Sequence, residues 1–136
     1  MKPLAIWMAA VAVVFGGYAL ITSLTRDTEQ VYVVVDSSFW MERVASDVAG
    51  ELDRIDDADH SEFALATARD RSTTFVHSWQ DQLTLARFEA FGPCSFDGID
   101  QFPEAADADE RILVTSSATE CDTAALTDWT VIELTP

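Results

Sequence analysis

Residues Val31–Val35 read VYVVV, five apolar positions in a row, four of them β-branched. A strand covered on one face alternates polar and apolar side chains, so a run with no alternation needs cover on both faces. That pattern belongs to a strand in the middle of a mostly parallel sheet. Beyond it, Met41, Val44, Ala45, Val48, Leu52 and Ile55 recur at helical spacing, with Glu42, Arg43, Asp47, Glu51 and Asp53 between them. The spacing predicts an amphipathic helix of about four turns. Ser38 stands where an N-cap belongs, and Glu42 suits the positive end of the helix dipole. Glu62–Arg69, EFALATAR, then predicts a second strand, with Phe63, Leu65 and Thr67 on one face and Ala64, Ala66 and Ala68 on the other. Strand, helix and strand at this length make a βαβ unit with a right-handed crossover.

The remainder reads as further strands joined by acidic loops. Thr73–Trp79 and Thr84–Phe91 both carry strand character and are separated by a short QDQ stretch, which predicts an antiparallel hairpin. Gly92–Glu110 reads as a loop, with Pro103 opening a short helix at PEAADA. Arg111–Thr115 and Trp129–Leu134 complete the strands, with room for one helical turn between Thr119 and Asp128. The expected fold class is α/β: an N-terminal transmembrane helix over 1–25, a linker over 26–30, and a small Rossmann-like domain over 31–136 with a mixed sheet.

Leu4–Leu24 is free of charge for 21 residues. At about 1.5 Å per residue such a helix spans a hydrocarbon core of about 30 Å. Secretory signals have shorter apolar cores and an Ala-x-Ala-like cleavage site, and no such triplet follows here. The expectation is a retained single-pass anchor, with a cleaved signal as the rival. Gly16 and Gly17 do not have the G-x-x-x-G spacing of a helix-packing motif. Lys2 precedes the segment, while Arg26 is offset by Asp27 and Glu29. This orients the N-terminus toward the cytoplasm and the domain outside the cytoplasmic membrane, periplasmic or extracellular.

Composition supports export and excludes one class of partner. The formal charge is -16, and only one of eight basic residues is a lysine. A nucleic-acid backbone needs positive charge to displace its counterions, so nucleic acid is excluded as a partner. The acidic residues are spread along the chain, as suits a solvated surface. Cys94 and Cys121 are the two cysteines, and in an oxidising compartment they predict one disulfide. It would close a loop of about 27 residues, worth about 3 kcal/mol in the chain-entropy picture.

Asp36-Ser37-Ser38-Phe39-Trp40-Met41 follows the first strand directly. With EFALATAR, the strands around WQDQ and RILVTSS in this order, the chain over about 31–120 resembles a shortened, degenerate von Willebrand factor A-like domain. That family opens with an apolar strand and Asp-x-Ser-x-Ser, and its loops seat a divalent cation. The resemblance implies Asp36 and Ser38 as metal ligands for Mg²⁺ or Ca²⁺, with Thr115 or Ser116 as substitutes for later ones. Trp40 stands where the second serine would be, and no Asp follows Thr115, so two oxygens of the pattern are missing. No cofactor is expected if the outline alone has been kept.

Apolar bulk at the carboxyl end of the first strand points to a different use. Ligands collect outside the carboxyl ends of strands in open α/β sheets, so Phe39, Trp40 and Met41 are candidate partner-binding residues. Ser37 or Ser38 with His60 or His77 evokes a hydrolase triad, but the G-x-S-x-G elbow is absent. His60 with Asp56, Asp57 and Asp59 reads as a solvated helix-end loop. The six carboxylates of SFDGIDQFPEAADADE are not in EF-hand order. The expected function is that of a membrane-anchored, extracytoplasmic protein-interaction domain, an accessory part of an envelope complex. A divalent-cation-dependent binding domain using Asp36 and Ser38 is the alternative, and an enzyme is the least supported.

Overall fold

The computed structural model describes residues 6, 8–17, 28–58 and 61–136. Five strands form one sheet: β1 (Glu29–Asp36), β2 (Ser61–Arg69), β3 (Ser72–Gln80), β4 (Glu110–Ser116) and β5 (Thr130–Leu134). Their order is β3-β2-β1-β4-β5. β1 runs parallel to both β2 and β4, β4 runs parallel to β5, and only β3 is antiparallel to its neighbour. The βαβ start is therefore present. The expected linker is shorter than the sequence suggests, because Glu29 and Gln30 already pair with Ser61 and Glu62.

VYVVV lies at the centre of the sheet and is buried on both faces. On one face Val31, Val33 and Val35 join Phe63, Leu65, Ile112 and Val114 beneath the helix α1 (Ala45–Asp56), which contributes Val48, Leu52 and Ile55. On the other face Tyr32, Val34 and Leu113 meet Ala64, Ala66 and Ala68, under Ile99 and Ala105. Ala105 belongs to the short helix α2 (Pro103–Asp107), which Pro103 opens as expected. Leu126 and Trp129, on the connection from β4 to β5, close the same second face. The β1–β2 and β4–β5 connections step in opposite directions along the sheet and cross on opposite faces, which gives both the same hand.

Two expectations need correction. Thr84–Phe91 is not a strand and makes no hairpin with β3. The hairpin is β2–β3, closed by Asp70 and Arg71 with φ of 45° and 59°. Two consecutive residues with positive φ make the type I′ turn, whose twist matches that of paired strands. β3 thus finds its partner upstream. The 83–90 stretch lies over the α1 face instead, packing Leu83, Leu85, Phe88 and Ala90 on the core. Its alternation records one face on a core and one in water, which an unpaired extended segment satisfies as well as a strand does.

The second correction is at the helix start. Phe39–Val44 forms a 3₁₀ helix, and the α-helix begins at Ala45 rather than Met41. Ser38 occupies the N-cap position but makes no side-chain cap bond. Phe39 N–H, one of the first-turn donors that no helix satisfies internally, donates to the Gly92 carbonyl at 2.9 Å.

Among the described residues no helix is long and apolar enough to cross a membrane. Residues 8–17 are helical and exposed, with Val13 at 74% and Phe15 at 71% accessible. Apart from Ile6, the rest of the expected anchor lies outside the described residues.

Candidate functional site

β1 leads to β2 on one side, whereas its other neighbour is β4, which the chain reaches only after β3. The chain therefore reverses between β1 and β4, and the crevice outside their carboxyl ends is a topological switch point. Of the six buried polar or charged residues among those described, five lie there: Asp36, Ser37, Ser38, Thr115 and Ser116. The sheet brings them together from two tracts 79 residues apart. Thr115 Oγ1 donates to Asp36 Oδ2 at 2.7 Å, and Ser38 N–H donates to Asp36 Oδ1 at 2.8 Å. The carboxylate of Asp36 is wholly buried, and neither ion pair among the described residues involves it. Burying a carboxylate costs several kcal/mol unless hydrogen bonds or charge offset it. Here one hydroxyl and one amide serve that role. Ser38 Oγ is also buried and has no hydrogen-bond partner among the described residues.

Asp36 and Ser38, the residues expected as metal ligands, are thus adjacent, and Thr115 joins them. Ser116 is buried but its Oγ is occupied by Ala118 N–H at 3.2 Å. Ser37 Oγ donates to the Ala68 carbonyl at 3.3 Å and locks β1 to the end of β2.

The aromatic residues divide. Met41 is wholly buried and belongs to the core, not to a docking surface. Phe39 is 47% exposed and stacks on half-buried Trp40 with ring centroids 4.4 Å apart. Phe91 is 51% exposed. Its N–H donates to the Ser37 carbonyl at 3.0 Å, while the Phe39 N–H reaches the Gly92 carbonyl, so the two chain segments interlock at the edge of the switch point. Gly92 takes a φ of +79°, where a side chain would be strained. Arg69, at the end of β2, lies 3.5 Å over the Phe91 ring, a cation–π contact. Phe91 was missed because Thr84–Phe91 reads as a strand, and Arg69 because its strand, which is present as expected, does not show in sequence that its side chain meets Phe91. The Phe91-Gly92-Pro93 junction was the available signal that the segment ends there in a turn.

The other candidates are structural. His77 Nδ1 lies 2.8 Å from the Ser78 carbonyl, and its Nε2 accepts Thr84 N–H at 3.3 Å. One tautomer satisfies both contacts, and the ring pins the chain as it leaves β3. Asp56 accepts Leu83 N–H at 2.9 Å and fixes the other end of that turn. His60 and Asp59 lie outside the described residues. No cluster of three metal-ligating His, Cys, Asp or Glu occurs among the described residues. Tyr32 donates its hydroxyl to the Ile99 carbonyl at 3.0 Å, and burial, reinforced by Asp100 and Glu104, pushes its phenol above the usual range. The Cys94–Cys121 disulfide is formed, with Cα atoms 6.1 Å apart. No protein-family model, no curated protein and no solved structure matches this chain.

Proposed function

We propose that this chain is a membrane-anchored, extracytoplasmic protein-interaction domain, an accessory part of an envelope complex, which docks its partner through Phe39, Trp40 and Phe91. The observation that carries this reading is the pair of half-exposed rings at the switch point. Met41 and Val44 already close the core beneath them, so Phe39 and Phe91 are not needed for packing. Aromatic residues held rigidly at a surface are typical anchors of interfaces. The uncharged Leu4–Leu24 run, whose described helical part turns Val13, Val14 and Phe15 outward, supports the anchor. The disulfide fits an oxidising compartment outside the cytoplasm.

A photocrosslinking residue placed at Phe39 in cells should give a discrete adduct. The Phe39→Ala/Phe91→Ala chain, carrying the crosslinker at Trp40, should lose that adduct. Binding should weaken about 30-fold, since hot-spot truncations cost about 2 kcal/mol or more. Its melting temperature should stay close to that of the parent, as for other exposed positions. An adduct pattern identical to that from a crosslinker at Glu133, on the far edge strand, would reject the docking surface.

One observation favours a second reading, a divalent-cation seat on Asp36, Ser38 and Thr115. Ser38 Oγ is buried, unpaired among the described residues, and two positions from a buried carboxylate. A hard cation takes such oxygens as ligands. Millimolar Mg²⁺ or Ca²⁺ should then raise the melting temperature by mass action, worth about 2.7 kcal/mol at a hundredfold excess over Kd. Absence of a shift, or the same shift in Asp36→Asn, removes this reading.

A further inference from the structure

We infer that Arg69 and Arg87 form a carboxylate-anchoring pocket beside the aromatic rim. The partner segment would then present an acid group next to an apolar side chain. The inference rests on the docking reading above and specifies its partner chemistry. On the α1 face of the sheet, a cavity of about 170 Å³ is lined by Ser37, Thr67, Arg69, Thr74, Arg87 and Glu89, among others. Thr67 and Thr74 are cross-strand partners in the β2–β3 ladder, so two hydroxyls line the cavity from neighbouring strands.

The charge at this place runs against the rest of the molecule. The chain has 24 acidic residues and eight Lys and Arg, so most guanidinium groups have carboxylates to choose from. Arg69, like Arg43, Arg71 and Arg111, forms no ion pair among the described residues, and it is the one whose guanidinium lies over an aromatic ring. It stacks on Phe91, and its Nη1 donates to the Glu89 backbone carbonyl at 3.5 Å. A guanidinium carries five N–H donors in a fixed fork, and stacking on a ring holds that fork in place while leaving donors free. Arg87 pairs with Glu89, but its side chain is 83% exposed and can exchange partners.

The pocket therefore carries two positive groups and one negative, in a molecule of net charge -16. Its size suits a single carboxylate with a few further atoms and not a bulky polyanion. Arginine matches carboxylate geometry in a bidentate way. Arg69 lines the pocket and also stacks on Phe91 of the aromatic rim, so a ligand with its acid on Arg69 has its neighbouring side chain beside that rim. The remaining charge of the chain repels acidic proteins at a distance. The partner segment is thus one carboxylate in otherwise neutral or basic surroundings.

The test uses the full chain in detergent micelles and follows backbone amide resonances. N-acetyl-phenylalanine probes a terminal carboxylate, N-acetyl-aspartyl-phenylalanine amide a side-chain carboxylate, and N-acetyl-asparaginyl-phenylalanine amide is the neutral control. At least one acidic probe should shift Ser37, Arg69 and Phe91 saturably. The neutral control, and either acidic probe with Arg69→Gln, should bind about tenfold more weakly or worse, as expected for losing a hydrogen bond to a charged group. Whichever acidic probe binds identifies the source of the carboxylate. Equal binding of the neutral control, an unchanged affinity in Arg69→Gln of parental melting temperature, or shifts confined to other regions would overturn the anchor. If the Phe39 adduct persists in cells when the anchor fails, the docking reading stands without it. If that adduct is also absent, the docking reading fails as well.

Discussion

The Cys94→Ser/Cys121→Ser chain is expected to lose about 3 kcal/mol of stability, because the bridge closes a long loop of the unfolded chain. The separation of 27 residues sets that scale. The effect on the native state is local. Cys94 follows Pro93, whose carbonyl accepts Asp70 N–H at 2.9 Å at the β2–β3 turn, and Cys121 sits on the connection between β4 and β5. The bridge thus ties the end of β2 to the end of β4 across β1. A cleft of about 670 Å³, lined by Asp70, Arg71, Phe96, Asp97 and Leu126 among others, opens beside it. The melting temperature should fall on the order of 10 °C for a domain of this size. Hydrogen exchange should speed up first around Ile99, Phe102 and Leu126, while Val48 and Leu52 of α1 keep their protection. A loss under about 1 kcal/mol, or equal loosening of both faces, would show that the second face is held by its aromatic side chains and not by the bridge.

The elements that position the site were legible wherever burial was extreme. VYVVV could only be a strand covered on both faces, and EFALATAR separated its large and small faces as the two clusters do. The disulfide followed from the chain having two cysteines and from the expectation of an oxidising compartment. The hairpin was misplaced because the alternation of 83–90 measures burial and not pairing. The evidence for the true turn lay in Asp70-Arg71, a pair without the glycine that usually marks type I′. Sequence pattern alone does not show that Asp70 and Arg71 tolerate positive φ there. The tertiary bond from Asp70 N–H to Pro93 that helps hold the turn joins residues far apart in the chain.

The site itself was half legible. Asp36 and Ser38 are contiguous, and the apolar strand before them announces the switch-point edge. Thr115 was named only as a substitute ligand, yet it makes the shortest contact to Asp36. Its register depends on the pairing of Val35 with Val114, which no local pattern encodes. Met41 looked like part of the exposed aromatic run because it is adjacent to Trp40. In the 3₁₀ turn it points inward, and Phe39 does not. Phe91 and Arg69 come from segments that meet through tertiary hydrogen bonds, the interlock of Ser37, Phe39 and Gly92 and the bond from Asp70 N–H to the Pro93 carbonyl, so the rim is a product of tertiary structure.

Asp36→Ala is expected to destabilise the domain by about 2–6 kcal/mol, since it strands two buried donors that each cost about 1–3 kcal/mol when unpaired. The donors are Thr115 Oγ1 and the Ser38 amide, and the site lies too deep for water to take over without opening the crevice. Asp36→Asn separates the two roles the carboxylate can have. Its Oδ1 can accept from Ser38 N–H while its amide donates to Thr115 Oγ1, because a hydroxyl accepts as well as it donates. If Asp36 is a latch between β1 and β4, Asn restores most of the stability lost in Ala, and Thr115→Val costs little more in the Asn background than a hydrogen bond, about 1 kcal/mol. If Asp36 is a cation ligand, Asn matches the parent in chelator but falls behind it when Mg²⁺ or Ca²⁺ is added, by the stabilisation the metal supplies. Melting curves of the three chains with chelator and with metal decide between them. A parent that ignores metal, with an Asn variant of equal stability, makes Asp36 a structural pin and leaves the aromatic rim to carry function at this edge.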